Sequence, residues 1–512
     1  MNDGKKSISP SVEGNTDLQP TNSLDVGVVK NHGDLHRSLT PRQVHVIALG
    51  SNVGSGLFIG TGKALANGGP ANMILAYFTV CIAIWAHLQT FAEMTIAFPT
   101  SGSYIDHADR WVDPALAFGA GLAEWLGWTA VFASEATFFV VLVDYWTKGV
   151  IPEAALLSIF IVICLAVFFL PNTYFAWLQY FGSLVKAFLF VFVVFISLAI
   201  IGGAGLTGSV KDGSTWTDLP AFKNGFGGFA SAALLAVWAV GDQIYIGVLG
   251  GEARSPRYSM AHAANAVPWR VTVFYMVLVT FVSVIVPSSE NRLLGGCGSA
   301  ASPFVIAIVN SGINGVPDLV NACMIIGILA IALECIYLPS RMLRTMALQK
   351  LIPSLHRKFG GVLTYIGLSG KGTEVLNWFI AITSASFFIS FAIVALTSFR
   401  FRAAIKTQKA TSFAESYSWQ SRLWLLTPII VLVVSALLLV SLLYISIKPV
   451  DGTSFTVYNF FSNILGILVI LIPTALYKVI MRTKWRDPRT ADLVTGRRRL
   501  SEEEILLLDK HY

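Results

Sequence analysis

The residues best placed to do chemistry lie where a membrane-length apolar run is interrupted. The run VIALGSNVGSGLFIG carries Ser51, Asn52, Val53, Gly54, Ser55 and Gly56 at its middle. Glycine is a poor interior helix residue, and Ser and Asn compete for backbone hydrogen bonds. Unwound backbone is tolerated at bilayer depth only where it faces protein or a water-filled cavity. There, free N–H groups opening a second half-helix suit a carboxylate, and free carbonyls ending the first half suit a cation or an ammonium group. The competing reading is close helix packing, because Gly50 and Gly54 form a GxxxG pair. A second interruption, in AVWAVGDQIYIGVLGG, favours binding: it sets Val240, Gly241, Asp242 and Gln243 inside a later apolar run. Breaks in the first and sixth runs are what an inverted repeat of five plus five helices produces, with its site at their interface.

Ionisable residues inside apolar runs are the second chemical signal, because burying them is costly and usually purposeful. Lys186 (YFGSLVKAFLF), Glu135 (ASEATFF), Glu334 (ALEC) and Glu124 are of this kind, and Glu93 stands near the end of a run. A proton relay needs such groups. Snorkelling is the alternative for Lys186, and a carboxyl satisfied by neighbouring helices is the alternative for Glu135.

Long apolar elements must hold these groups. The chain has 512 residues, 54% hydrophobic and 13% charged, with mean hydropathy +0.66; a soluble domain is roughly a quarter charged. Runs long enough to cross a bilayer fall near 44–66, 73–97, 115–146, 152–170, 180–202, 228–250, 269–287, 318–340, 375–398, 423–446 and 455–480. The fold class is therefore an all-α polytopic membrane protein with eleven clear spans. Residues 1–43 form a polar tail with the composition of disorder, 44–480 the membrane domain and 481–512 a C-terminal tail. Lys and Arg gather at Arg254–Arg270, Arg341–Lys358 and Lys484–Arg499, which predicts cytoplasmic termini. Two basic loops, 341–361 and 399–422, both belong on that side, yet only the span 375–398 separates them. A crossing is missing. The remnant VLTYIGL (Val362–Leu368) is about a third of a span: either it forms a short re-entrant piece, or the chain has lost most of a helix, which would make it a transport-defective variant. The net charge of +7 is that of cytoplasmic loops rather than of a nucleic-acid binder.

In order along the chain, LGSNVGSGLFIGTGKALANGGPA (Leu49–Ala71), AEMTIAFPTSGSYIDHADRWVDPALAFGAG (Ala92–Gly121), GGEARSPRYSM (Gly250–Met260), SPFVIAI (Ser302–Ile308), GKGTEVLNW (Gly370–Trp378), FRFR (Phe399–Arg402) and DLVTGRR (Asp492–Arg498) resemble the fungal amino acid permeases of the amino acid–polyamine–organocation superfamily. The resemblance runs from about His36 to the C-terminus. It implies a proton-coupled L-amino acid symporter of the plasma membrane, with twelve helices and discontinuous helices one and six. Carried over residue by residue, Ser51–Gly56 would hold the substrate carboxylate, and Val240–Gln243 would face its amino group. Lys186 would stand in for the sodium ion of relatives, with Glu135 as its partner or relay. Ubiquitin or trafficking factors on the cytoplasmic tails are further implied partners.

Three departures matter. Asp242-Gln243-Ile244 replaces the family's Gly-Thr-Glu, ALEC replaces its small Ala-Asn-Ser-Ser stretch, and most of a ninth helix is absent. The extra acids would select a cationic side chain or bind the coupling proton. A nutrient sensor on the same fold is a second class, against which the short tails argue. A membrane enzyme is a third: no Walker motif, paired metal-ligand histidines or nucleophile elbow is found, and no cofactor is expected. His107 and His262 are expected to be solvated loop residues, and the five cysteines to be packing residues rather than a disulfide framework.

Overall fold

The computed structural model describes residues 46, 54–100, 102–206, 208–241, 246–248, 251, 256–294, 302–352, 372–413, 418–450, 452, 454–497, 500 and 502–509. Their regular elements are all helical. A π-helical turn, Gly56–Gly60, leads into α1 (Thr61–Ala97). There follow α2 (Ser103–Trp111), α3 (Pro114–Thr147), α4 (Glu153–Phe168), α5 (Asn172–Ile201), α6 (Gly225–Val240) and α7 (Pro256–Ile285). The rest are α8 (Pro303–Asn310), α9 (Val316–Leu348), α10 (Gly372–Gln408), α11 (Leu426–Ile447), α12 (Val457–Met481) and α13 (Glu502–Asp509).

Among the described residues, eight helices are long and apolar enough to cross a membrane, and α4 and α6 are shorter apolar helices. The difference from eleven expected spans has a local cause. The continuous element Gly56–Ala97 covers parts of two expected spans. It bends at Gly69, whose φ of +74° is outside the helical region, and Pro70 brings no N–H. The carbonyls this frees are taken up by the 220–224 loop: Lys223 N donates to Gly68 O (2.9 Å) and Lys223 Nζ to Ala66 O (2.6 Å). A Cβ at Gly69 would stand 2.7 Å from two carbonyl oxygens, Pro220 and Ala221. Only glycine fits.

Packing divides the helices into two sets. α1 packs most extensively on α6 and α7, and α3 packs most extensively on α9 and α10. Side-chain contacts fix their directions. Trp146, ending α3, donates to Asp318 at the start of α9 (2.9 Å), while Gly121 near the start of α3 lies against Met346 near the end of α9. Along α10, Thr383 meets Gly127 O, Ser390 meets Glu124 and Phe401 meets Trp111. Both α9 and α10 are thus antiparallel to α3 and parallel to each other. VLTYIGL itself lies outside the described residues.

The two basic loops are shorter than expected. Arg341 and Arg344 continue α9, and Arg400, Arg402 and Lys406 continue α10. Both helices end at one face, which also carries the C-terminal segment and is called the tail face below. There Arg486 donates to Asp109 (3.2 Å to Oδ1), Trp111 Nε1 to Asp492 O (3.0 Å) and Gln408 to Ala491 O (2.7 Å). Asp113 caps α3, accepting from Ala115 N and Thr483 and pairing with Lys478. Burial opposes its charge, but these partners hold its carboxyl below the usual range.

His107 is not a solvated loop residue. It lies on α2, fully buried, stacked on Trp111 at 5.0 Å with Nε2 beside Phe98 O at 3.1 Å. Burial lowers its pKa to about 4, which Asp106 only partly opposes. The folded protein therefore binds this proton less readily than the unfolded chain. Stability should fall as pH drops from about 6.5 towards 4, by at most ~1.4 kcal/mol per pH unit. Thermal inactivation of detergent-solubilised protein should show this slope, and His107→Gln should flatten it. His262 is exposed. Cys81, Cys164, Cys323 and Cys335 are buried and outside any disulfide, and Cys297 lies outside the described residues.

Candidate functional site

The described edges of the two interrupted runs converge. Gly54 is the bend that starts the π turn, accepting from Leu57 N (3.1 Å) and Phe58 N (3.2 Å). Gly56 lies so close to α6 that a Cβ would fall 2.5 Å from Ala239 Cα. α6 ends at Val240, and Gly241 N closes its last turn on Val237 O (2.7 Å). The Ala239 carbonyl accepts from Tyr275 OH at 2.7 Å. Gly54, Ser55, Gly56, Val240 and Gly241 are thus brought together, whereas Ser51, Asn52, Val53, Asp242 and Gln243 lie outside the described residues.

Beside this junction is a small cavity with room for about one water, lined among others by Gly54, Ser55, Lys186, Leu189, Cys323 and Gly327. Ser55 Oγ donates to Glu135 Oε1, which ties the π turn to α3. Lys186 is 1% exposed, which excludes snorkelling, and its stem passes Gly327 of α9. Lys186 and Glu334 are both within electrostatic reach of Glu135. One lysine and two carboxyls from α5, α3 and α9 therefore meet in the protein interior. Glu334 is fully buried, and neither of its oxygens has a hydrogen-bond partner among the described residues.

Glu124 belongs to a different nest. Tyr104 (2.8 Å) and Ser390 (2.7 Å) donate to its Oε1, and Trp128 (3.1 Å) donates to its Oε2. It lies roughly 16 Å along α3 from Glu135. These hydrogen bonds join α2, α3 and α10. Glu93 makes a two-pronged pair with Arg402 (2.6 and 2.7 Å) and accepts from Ser421 N (2.9 Å), tying α1 to α10 at the tail face.

Sequence reasoning missed Ser183 and Gln179, which lie one and two turns before Lys186 on the same face of α5. The 179, 183, 186 spacing was the available signal. It also missed Tyr275, whose apolar surroundings give no signal. No group of His, Cys, Asp and Glu suited to a metal is found among the described residues.

A multi-pass bundle of apolar helices, with a charged cluster buried beside two converging helix ends, defines an integral membrane protein of transporter architecture. The solved structures agree: a mutant manganese transporter of Eremococcus coleocola matches with TM-score 0.53 and 13% identity, covering 86% of this chain and 94% of that one. This likeness concerns the fold alone. The Amino acid permease family profile matches residues 43–364 and 359–488, and the chain belongs to that family, one of transporters rather than enzymes. Amino-acid permease GAP5 of Candida albicans is 28% identical over 97% of this chain and 84% of its own length. The tryptophan permease of Saccharomyces cerevisiae is 28% identical over 92% of this chain and 83% of its own.

Proposed function

We propose that this chain is an L-amino acid:proton symporter of the plasma membrane, with both termini cytoplasmic. The observation that carries the reading is the link from Ser55, beside the glycine break, to Glu135, with Lys186 lining the same cavity. Backbone groups at Ser51–Gly56 bind the substrate carboxylate, and those at Val240–Gln243 receive its amino group, as half-helix ends do in transporters with inverted repeats. Lys186 and Glu135 carry the coupling proton close to that site, so substrate occupancy and protonation are felt by the same π turn. The convergence of Gly56 on Ala239 supports discontinuous helices one and six. The basic ends of α9 and α10 support a cytoplasmic tail face. The amino acid substrate follows from the family and from the names of the relatives.

The test is uptake of radiolabelled L-amino acids by cells lacking their own permeases, at acidic and neutral external pH, with and without a protonophore. Saturable uptake that rises in acid and collapses with the protonophore is expected. A surface-located protein that takes up none of them would overturn the reading.

A further inference from the structure

We propose that the seam between α5 and α9 is a proton path, separate from the substrate site, that connects Lys186 to the tail face through Ser183, Glu334 and Gln179. It rests on the proton-coupled reading above. α5 runs antiparallel to α9: Lys186 passes Gly327, Gly182 meets Ala330, and Phe175 stacks on Tyr337 at 4.6 Å. The tail face is therefore at the Phe175 end. From Lys186 towards it, α5 presents Ser183 and then Gln179 at helical spacing, and α9 presents Glu334. All are buried, with Ser183 at 3% and Gln179 and Glu334 at 0% exposure.

Among the described residues, several of their polar atoms have no hydrogen-bond partner. Gln179 spends its amide N–H on Ala330 O (2.8 Å) but leaves Oε1 without a partner. Ser183 Oγ and both Glu334 oxygens also lack one. Buried polar atoms are nearly always hydrogen-bonded, to protein or to ordered water, and several along one seam mark a route that water or a proton can occupy.

Glu334 does not line the cavity, so it is placed to take a proton from Lys186 rather than to hold the substrate. The charged groups facing it are Lys186 from α5 and Glu135 from α3. α4 carries no charged residue after Glu153, α8 carries none, and the acids of α2 meet α9 only at its far end, where Gln349 donates to Asp106. In the transfer, the Lys186 ammonium loses a proton to a Glu334 oxygen and becomes a neutral amine. Glu334 then releases that proton past Gln179 to water at the tail face, beyond the Phe175–Tyr337 pair.

The two halves of transport can be separated by experiment. Net uptake requires proton release at the tail face, whereas exchange of internal for external amino acid does not. In vesicles from cells expressing the full chain, loaded with the amino acid that wild type takes up best, Glu334→Gln should cut proton-driven accumulation about tenfold or more. Exchange should stay within about twofold of wild type, and Ser183→Ala should show a weaker form of the same split. Glu334→Asp should restore part of the accumulation. Loss of accumulation and exchange together, with protein present at normal level, would assign Glu334 a structural role and overturn the proposal. So would unchanged accumulation, or a switch in preference between neutral and cationic amino acids. Failure of the wider symport reading would appear differently, as wild-type accumulation indifferent to the protonophore.

Discussion

Gly56→Ala should lower amino acid uptake about a hundredfold while leaving the protein at the cell surface. The added methyl would stand 2.5 Å from Ala239 Cα and 2.7 Å from Ala239 Cβ. Neither can rotate away, so the π turn or the end of α6 must move. Overpacking of this kind costs about 1–3 kcal/mol, which a bundle of this size can absorb. The functional effect is larger because displacement of about 1 Å in groups that position a substrate costs on the order of a hundredfold. Gly60→Ala is the matched control: its methyl meets only Trp238 ring carbons, at 3.0 and 3.3 Å. A ring can shift slightly, so Gly60→Ala should keep most of the activity. Normal uptake by Gly56→Ala would mean that the contact between the two helix ends does not shape the site.

Removing the Glu93 carboxyl should be the most destabilising single change at the tail face. Glu93 is 1% exposed, and both of its oxygens accept from Arg402. Arg402 in turn lies over the rings of Phe413 (4.4 Å) and Trp424 (5.0 Å). Glu93→Ala would leave this guanidinium enclosed and unpaired, at about 3–5 kcal/mol. Thermal unfolding of the solubilised protein should show a clear loss. Adding Arg402→Met should return part of it, because an apolar side chain can occupy the same aromatic slot without an unpaired charge. Additive losses in the double variant would show that the pair acts only through separate packing effects.

Much of this arrangement could be read from the chain, and the reasons differ by residue. The apolar runs and the Gly-Ser-Asn-Val-Gly-Ser-Gly break are local signals, so the helices and one edge of the site followed directly. The buried position of Lys186 was legible as an ion inside an apolar run. The separation of Glu124 from Glu135 was not, because it depends on Tyr104 and Ser390, which are supplied by α2 and α10. The Glu93–Arg402 pair joins positions 309 residues apart, a distance over which sequence spacing carries no information. His107 looked like a loop residue because the covering surface comes from elsewhere: Phe98 and Trp111 enclose the ring, and the C-terminal segment docks on Trp111. Gly69-Pro70 was legible as a helix interruption, but not the Lys223 that fills it.

Because α9 and α10 run the same way, a ribosome making this chain releases α10 before a full apolar segment has reversed the chain's direction. Between them, in residues 349–371, only the seven of VLTYIGL form a continuous apolar stretch, about a third of a span. Insertion machinery that sorts segments by hydropathy has little to act on there. The nascent α10 must instead be oriented by its own terminal arginines and by docking onto α3 through Thr383, Ser386 and Ser390. The yield of mature permease should then depend on how quickly α3 captures α10 during synthesis, and weakening those contacts should lower it.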